Sequence, residues 1–322
     1  MDIYCLLSYF SSWLPADGTR SSKRAFYNRL KQYRDPMSPA HAATLDTIDW
    51  NDVWKARQRR HDATKFVDDT SHNWNHRENA ARYDANATRD YDERVEATIA
   101  GLDLPRNSRV LDIGAGPGTL AIPLAPLVRQ VTAIEPGAGM VAILNEHIER
   151  ERIPNITCVQ KRWEKIDPSR DIAGPYDIVI ASLSLTMEDI RTALQKMDMV
   201  ARYAVYLYWF ADMPFWERMY ADLWAPLHKT PYYPGPKADC LWNVLYQMGI
   251  YANVEMLPLD KEYRFATDKE MTAFFRARFG VKTARQRKVL DAYLAPLIRY
   301  EGGDAVVSGR STLAKVWWKK PV

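Results

Sequence analysis

Cysteine is scarce in this chain. Cys5, Cys158 and Cys240 are the three found among 322 residues, an odd and widely spaced set. They exclude the disulfide framework of a small secreted domain and fit reduced, packed thiols. Long apolar runs are missing too, since nothing approaches the roughly 18 residues a membrane-spanning helix needs. Nor is a secretory signal expected from Ile3 to Leu14, which is apolar but has Asp2 where a positive n-region belongs. Neither sign of charge is in large excess. The net value of +4, from 44 basic and 40 acidic residues, is too low for nucleic-acid binding without a focused patch. With 47% hydrophobic and 26% charged residues, and no internal repeat, disordered and fibrous classes are excluded.

Residues 1–40 read as a poorly ordered basic extension, with Met37 as an alternative start. A sharper reading of the same stretch is a basic amphipathic anchor on a membrane surface. Residues 41–100 read as a helical N-terminal cap, because Trp50, Val53 and Trp54 recur at helical spacing. Arg57, Arg59, Arg60 and His61 behind them read as a solvated face or, alternatively, as an RNA or phosphate contact. His72 and His76 could face one metal ion from a helix, but no third ligand accompanies them, so no metal is expected.

The chemistry begins at residue 110. Val110 to Ile113 has the pattern of a buried strand and runs into Gly114-Ala115-Gly116-Pro117-Gly118. Glycines let the backbone approach a ligand closely and take positive φ. An apolar helix is expected from Thr119 to about Leu127, with its free N–H groups turned toward that loop. A second strand, Val131 to Ile134, ends in Glu135-Pro136, where a carboxylate can accept from both hydroxyls of a ribose. An NAD site would use the same carboxylate. A third strand, Tyr176 to Ser182, ends in small residues.

In this order and spacing the three segments resemble the motifs of the class I S-adenosylmethionine-dependent methyltransferases. The resemblance implies an α/β fold: a seven-stranded, mostly parallel Rossmann-like sheet over residues 101–322, helices on both faces, the last strand antiparallel. It also implies S-adenosyl-L-methionine as cofactor. Gly114, Ala115, Gly116 and Gly118 would lie under its methionine part, with Asp112 steadying that loop and the amino group. Glu135, with Pro136 beside it, would hold the ribose. Where the family often has Gly-Asp-Ala, this chain has Arg162-Trp163-Glu164. There Trp163 either stacks on adenine or packs as an interfacial core residue, and Arg162 with Glu164 or Gln160 borders the adenine edge. Ala181 and Ser182 would lie where methyl and substrate meet, with Ser182 and Ser184 orienting the acceptor. Tyr83, together with Trp74 and Arg77, would lid the site or simply pack on the domain.

Downstream, helices are expected over residues 187–200, 215–227, 238–250, 268–279 and 283–299. Strands are expected over 203–209 and 253–257, and over 312–319 after the Gly302-Gly303 turn. An insert at about 210–251 is rich in aromatics around a rigid loop, Pro231 to Pro236. Its rings either wall a site for a planar, apolar or cationic acceptor or form a satellite core. His228 is the neighbouring group whose ordinary pKa best suits proton transfer, which makes it a candidate base. The Asn/Asp-Pro-Pro-Tyr/Phe motif of many nucleobase and glutamine methylases is replaced by Ala181-Ser182-Leu183-Ser184, and no Cys-Pro pair ends a strand. The expectation is a cytoplasmic enzyme that methylates a small molecule by in-line displacement. RNA or protein acceptors are the alternative, and a catalytically silent cofactor-binding partner protein is the second. The acceptor atom and the oligomeric state stay open.

Overall fold

Strands that are apolar on both faces need a packed layer on each side. The structure, a computed structural model, describes residues 48–64, 74–90 and 92–320, and Trp50–Val322 forms one unit. The proposed extension and His72 lie outside the described residues. In chain order the strands are β1 (Arg109–Ile113), β2 (Gln130–Ile134), β3 (Ile156–Val159), β4 (Tyr176–Ser182) and β5 (Ala201–Phe210). They continue with β6 (Asn253–Pro258), β7 (Lys261–Phe265), β8 (Ile298–Glu301), β9 (Asp304–Gly309) and β10 (Thr312–Lys319). Seven of them form one sheet in the order β3-β2-β1-β4-β5-β10-β6. β1 pairs in parallel with β2 and β4, and β4 with β5. β10 runs antiparallel between β5 and β6, with Val316 opposite both Leu207 and Val254.

The helices are α1 (Trp50–Ala63), α2 (Arg77–Asp90), α3 (Asp92–Ala100), α4 (Ala121–Leu124) and α5 (Ala138–Glu151). After them come α6 (Ile190–Val200), α7 (Phe215–His228), α8 (Ala238–Gln247), α9 (Asp268–Arg278) and α10 (Ala284–Leu294). Alternation along β1 divides the core. Leu111 and Ile113 join one cluster with α6, α8 and Trp54, while Val110 joins the other with Leu124 and Leu144. On α6 the buried residues Ile190, Ala193, Leu194 and Met197 follow helical spacing, and the Asp189 side chain caps the start by accepting from Thr192 N. α1 lies on the first cluster, where the fully buried Trp54 donates its indole N–H to the Met187 carbonyl at 2.8 Å.

Prolines explain two differences from the expected elements. The helix after the glycine loop is a single turn, because Pro126 cannot extend the hydrogen-bond ladder and Ala125–Leu127 tightens into a 3-10 turn. Likewise α10 stops at Leu294, and past Pro296 the chain leaves as β8. Gly302 (φ 62°) and Gly303 (φ 97°) then close a β8–β9 hairpin rather than leading into the final strand. β7, β9 and β8 make a separate small sheet that, with α9 and α10, packs on α7 around Met219, Phe275 and Phe279. A capping box, Thr283 with Gln286, starts α10. Thr283→Ala is expected to lower stability by about 1 kcal/mol in urea unfolding. Among the described residues no helix is long and apolar enough to cross a membrane.

Candidate active site

β1 delivers the chain to the glycine loop, whose turn is fixed by Gly114 N and Ala115 N, both donating to the Ile134 carbonyl at the end of β2. Gly114 has φ 75°, and a Cβ there would lie 2.3 Å from the Ser184 Cβ. Gly116 has φ 57°, but a Cβ would meet nothing within 4 Å, because this part of the loop borders a cavity. The cavity measures about 750 Å³, within the size range of small-molecule sites.

At the loop end it is lined by Gly114, Gly116, Glu135, Pro136, Met140 and Trp163. The Glu135 carboxylate is buried and accepts from Gly116 N at 2.9 Å and Gly137 N at 2.7 Å. Burial pushes its pKa up, against the pull of those two N–H groups. An open glycine backbone facing a buried carboxylate that holds it in place is a donor and acceptor set that fits the amino-acid and ribose parts of S-adenosylmethionine. Trp163 borders the cavity but is itself buried, with its indole N–H donated to the Ala193 carbonyl and Lys196 Nζ 5.2 Å from its ring centroid. Arg162 and Glu164 line the cavity as a pair 3.7 Å apart.

Tyr83 lines the cavity with Trp74, ring centroids 5.3 Å apart. Their placement follows from α2 being clamped to α5, by Arg77 on Glu146 (2.8 and 3.0 Å) and Asp84 on His147 (3.0 Å). Arg77 is thus a surface clamp and is not among the lining residues. Asp112, Ala115, Gly118 and Ala181 also sit behind the surface. Ala181 is in the core, and Gly118 packs on Leu144 and Ile122.

Asp112 is buried on the Val110 face of β1, and its Oδ2 has no hydrogen-bond partner. Desolvation, then the nearby Glu135 charge, raises its pKa to about 7. Between the ordinary carboxyl range and about pH 7 the folded chain therefore holds a proton that the unfolded chain has released. Stability falls as pH rises through that window. Asp112→Asn removes this dependence, so its thermal midpoint should gain on the wild type between pH 5 and pH 8. An unchanged difference across that range would count against the buried-carboxyl assignment.

Beyond the loop, β4 ends at Ser182, and Leu183 takes φ 56°, a left-handed conformation unusual for leucine. Ser184 Oγ donates to the Ile113 carbonyl at 2.6 Å, tying this turn to β1. Ser182 and Ser184 both line the cavity midway. At its far end stand the rings of Trp209, Phe210, Trp216, Tyr220, Trp224 and Tyr232. Tyr220 and Tyr232 stack at 6.1 Å. Tyr246 is exposed and stacked on Trp242 instead, so the insert supplies both a wall and packing.

Three residues outside the sequence-predicted set also come here. Glu217, 6% exposed, accepts from Gly235 N at 3.0 Å and Tyr232 Oη at 3.3 Å, and pairs with Lys237 at 2.8 Å. His61 of α1 reaches the same carboxylate at 4.0 Å. Burial, then Glu217, pushes the Tyr232 phenol up, so it stays a neutral donor. Arg278, at the end of α9, completes this end. His228 goes elsewhere: it is not among the lining residues, its ring packs on Trp224 at 4.5 Å, and Nε2 lies 3.0 Å from the Phe279 carbonyl. The basic face of α1 is paired within the chain, Lys55 with Asp189 and Arg57 with Asp239 at 2.8 and 2.9 Å, and Arg59 with Glu188.

Residues 110–203 match a family model described as a methyltransferase domain. An uncharacterized protein of Haemophilus influenzae is 24% identical over 222 residues, 68% of this chain and 79% of that protein. Ribosomal RNA small subunit methyltransferase A of Desulforapulum autotrophicum is 36% identical over 90 residues, 28% of this chain and 31% of its own length. A solved structure from Bacillus halodurans, thought to be a methyltransferase, superposes with a TM-score of 0.50 at 18% identity. That superposition covers 71% of this chain and all of the other.

Proposed function

Since residues 110–203 match a methyltransferase domain, we propose that the chain is a class I, S-adenosylmethionine-dependent methyltransferase and that it methylates a small molecule held in the aromatic end of the cavity. The observation that supports this reading is the continuity of one cavity from the glycine loop and Glu135, past Ser182, to the rings of α7 and the Pro231–Pro236 loop. Bound S-adenosylmethionine supplies a methyl group on a positively charged sulfur, already activated for displacement. What remains for the protein is to bind, align and keep water out.

In this reading Gly114 and Gly116 give backbone contact along the amino-acid part, and Glu135 accepts from the ribose hydroxyls. Trp163, Arg162 and Glu164 border the adenine, and Tyr83 with Trp74 covers the loop end. Ser182 orients the acceptor. Asp112, Ala115, Gly118 and Ala181 act from behind, by holding the loop and strand ends in place. Glu217 is a positioning residue, because its carboxylate fixes four neighbours, Lys237, Tyr232, Gly235 and His61, around the acceptor. The intramolecular pairs of Lys55, Arg57 and Arg59 weigh against that face as an RNA contact. We assign the enzyme to the cytoplasm, in keeping with the unpaired Cys158 and Cys240.

The test supplies S-adenosylmethionine with a deuterated methyl group to the protein and three fractions of a cell extract: metabolites under 1 kDa, RNA and protein. Mass spectrometry then locates the label. Label in the metabolite fraction is expected; label confined to RNA or protein would sink the small-molecule reading.

A further inference from the structure

The acceptor end of the cavity does not balance its charges. Its lining there has one carboxylate, Glu217, against two permanent cations, Lys237 and Arg278. Lys237 is matched, with Nζ 2.8 Å from Glu217 Oε2 and 2.8 Å from the Gly235 carbonyl. Arg278 is not matched. Among the described residues its guanidinium has neither a hydrogen-bond acceptor nor an ion pair, and its buried Nε is left unbonded. Its neighbours are rings: Cζ lies 5.3 Å from the Tyr220 centroid, 5.7 Å from Tyr263 and 6.0 Å from Phe274.

Ring faces offset part of a cation's charge but are poor acceptors for its N–H groups. A guanidinium stays charged at every physiological pH and carries five donors in a fixed fork. The buried Nε–H is left unbonded at a cost, while the other donors face the cavity, where a ligand can take the place of water. Tyr220 connects this group to the rest of the acceptor end, since it stacks on Tyr232, whose hydroxyl bonds Glu217. A cationic acceptor gains little here, because the carboxylate it would seek already holds Lys237.

Building on the methyltransferase reading, we propose that the acceptor carries an oxyanion on an aromatic or otherwise apolar body, and that Arg278 selects it by binding that oxyanion. The rings then hold the body of the molecule, and the anchored oxyanion sets which atom points back toward Ser182. A charge-assisted, forked pair of this kind corresponds to roughly tenfold to a hundredfold in affinity.

Benzoate, phenyl phosphate, benzamide and benzylamine share a ring and differ in charge, and all are small enough for this cavity. Each is titrated into the wild-type chain, Arg278→Met and Arg278→Lys under saturating S-adenosylhomocysteine, with tryptophan fluorescence as the readout. The expected result is that one oxyanion, benzoate or phenyl phosphate, binds at least tenfold more tightly than benzamide, and the better of the two identifies the group. Arg278→Met removes that preference without changing the affinity for S-adenosylhomocysteine, and Arg278→Lys keeps part of it. Equal binding of all four probes, no binding of either oxyanion, tighter binding of benzylamine, or a preference that survives Arg278→Met overturns the proposal. S-adenosylhomocysteine is titrated alone first. Its failure to bind would strike the methyltransferase reading, and the four probes are then compared without it, so the two failures are told apart.

Discussion

Glu217→Leu is expected to lower the stability of the folded chain by about 3–5 kcal/mol, the usual effect of removing one partner from a buried ion pair. Glu217 and Lys237 have side chains only 8% and 12% exposed, so solvent cannot take over the lost carboxylate. Lys237 would be left without its counter-charge in a mostly buried place, and Gly235 N would lose its acceptor. The two groups need each other more than the fold needs either. Glu217→Leu/Lys237→Met should therefore recover most of the loss, since an apolar pair of similar volume can replace a buried ion pair. Urea unfolding of the two single variants and the double variant gives the comparison. If the double variant is as unstable as Glu217→Leu, Glu217 contributes through something other than Lys237.

Gly114→Ala should have a comparable effect at the other end of the cavity. At φ 75° an alanine pays roughly 1–2 kcal/mol for the left-handed backbone. Its Cβ would also stand 2.3 Å from the Ser184 Cβ, and Ser184 is held by the bond from its hydroxyl to the Ile113 carbonyl. Overpacking of that kind costs a further 1–3 kcal/mol or so. If the loop moves rather than the fold loosening, the same free energy is lost from cofactor affinity, a factor of roughly thirty or more. Thermal melts and S-adenosylhomocysteine titrations separate the two routes. Gly114→Ala/Ser184→Gly should restore what the overlap costs and leave the backbone part. Gly116→Ala makes the contrast: at φ 57° it bears the same left-handed backbone cost of roughly 1–2 kcal/mol, but with nothing within 4 Å of its Cβ it adds no overlap, so it should lose less stability than Gly114→Ala yet obstruct the cofactor.

The glycine loop, Glu135 and the parallel strands were legible in the sequence because each is a short-range pattern. A buried strand, the glycines after it and the carboxylate at the end of the next strand lie within 26 residues, from Val110 to Glu135. The acceptor end is not local. His61 meets Tyr232 across 171 residues, and Arg278 reaches Tyr220 across 58, so no spacing along the chain announces either contact. Histidine is by residue type suited to proton transfer, but the helix that carries His228 delivers Glu217 to the cavity instead, eleven residues or about three turns earlier. The basic stretch in α1 is a solvated face, as its pattern suggests, but its carboxylate partners, Glu188, Asp189 and Asp239, lie more than a hundred residues downstream and no spacing announces them. The small second sheet was hidden for another reason. β8 is mostly exposed and follows a helical pattern directly, so only Pro296 marked the change.

The most direct measurement is calorimetric titration of S-adenosylmethionine into the wild-type chain and into Glu135→Ala. Micromolar binding to the wild type is expected, weakened by roughly thirtyfold or more in the variant, as two charge-assisted hydrogen bonds to the ribose are lost. A wild type that does not bind, or a Glu135→Ala chain that binds as well, would mean that the glycine loop and its carboxylate do not form the cofactor site.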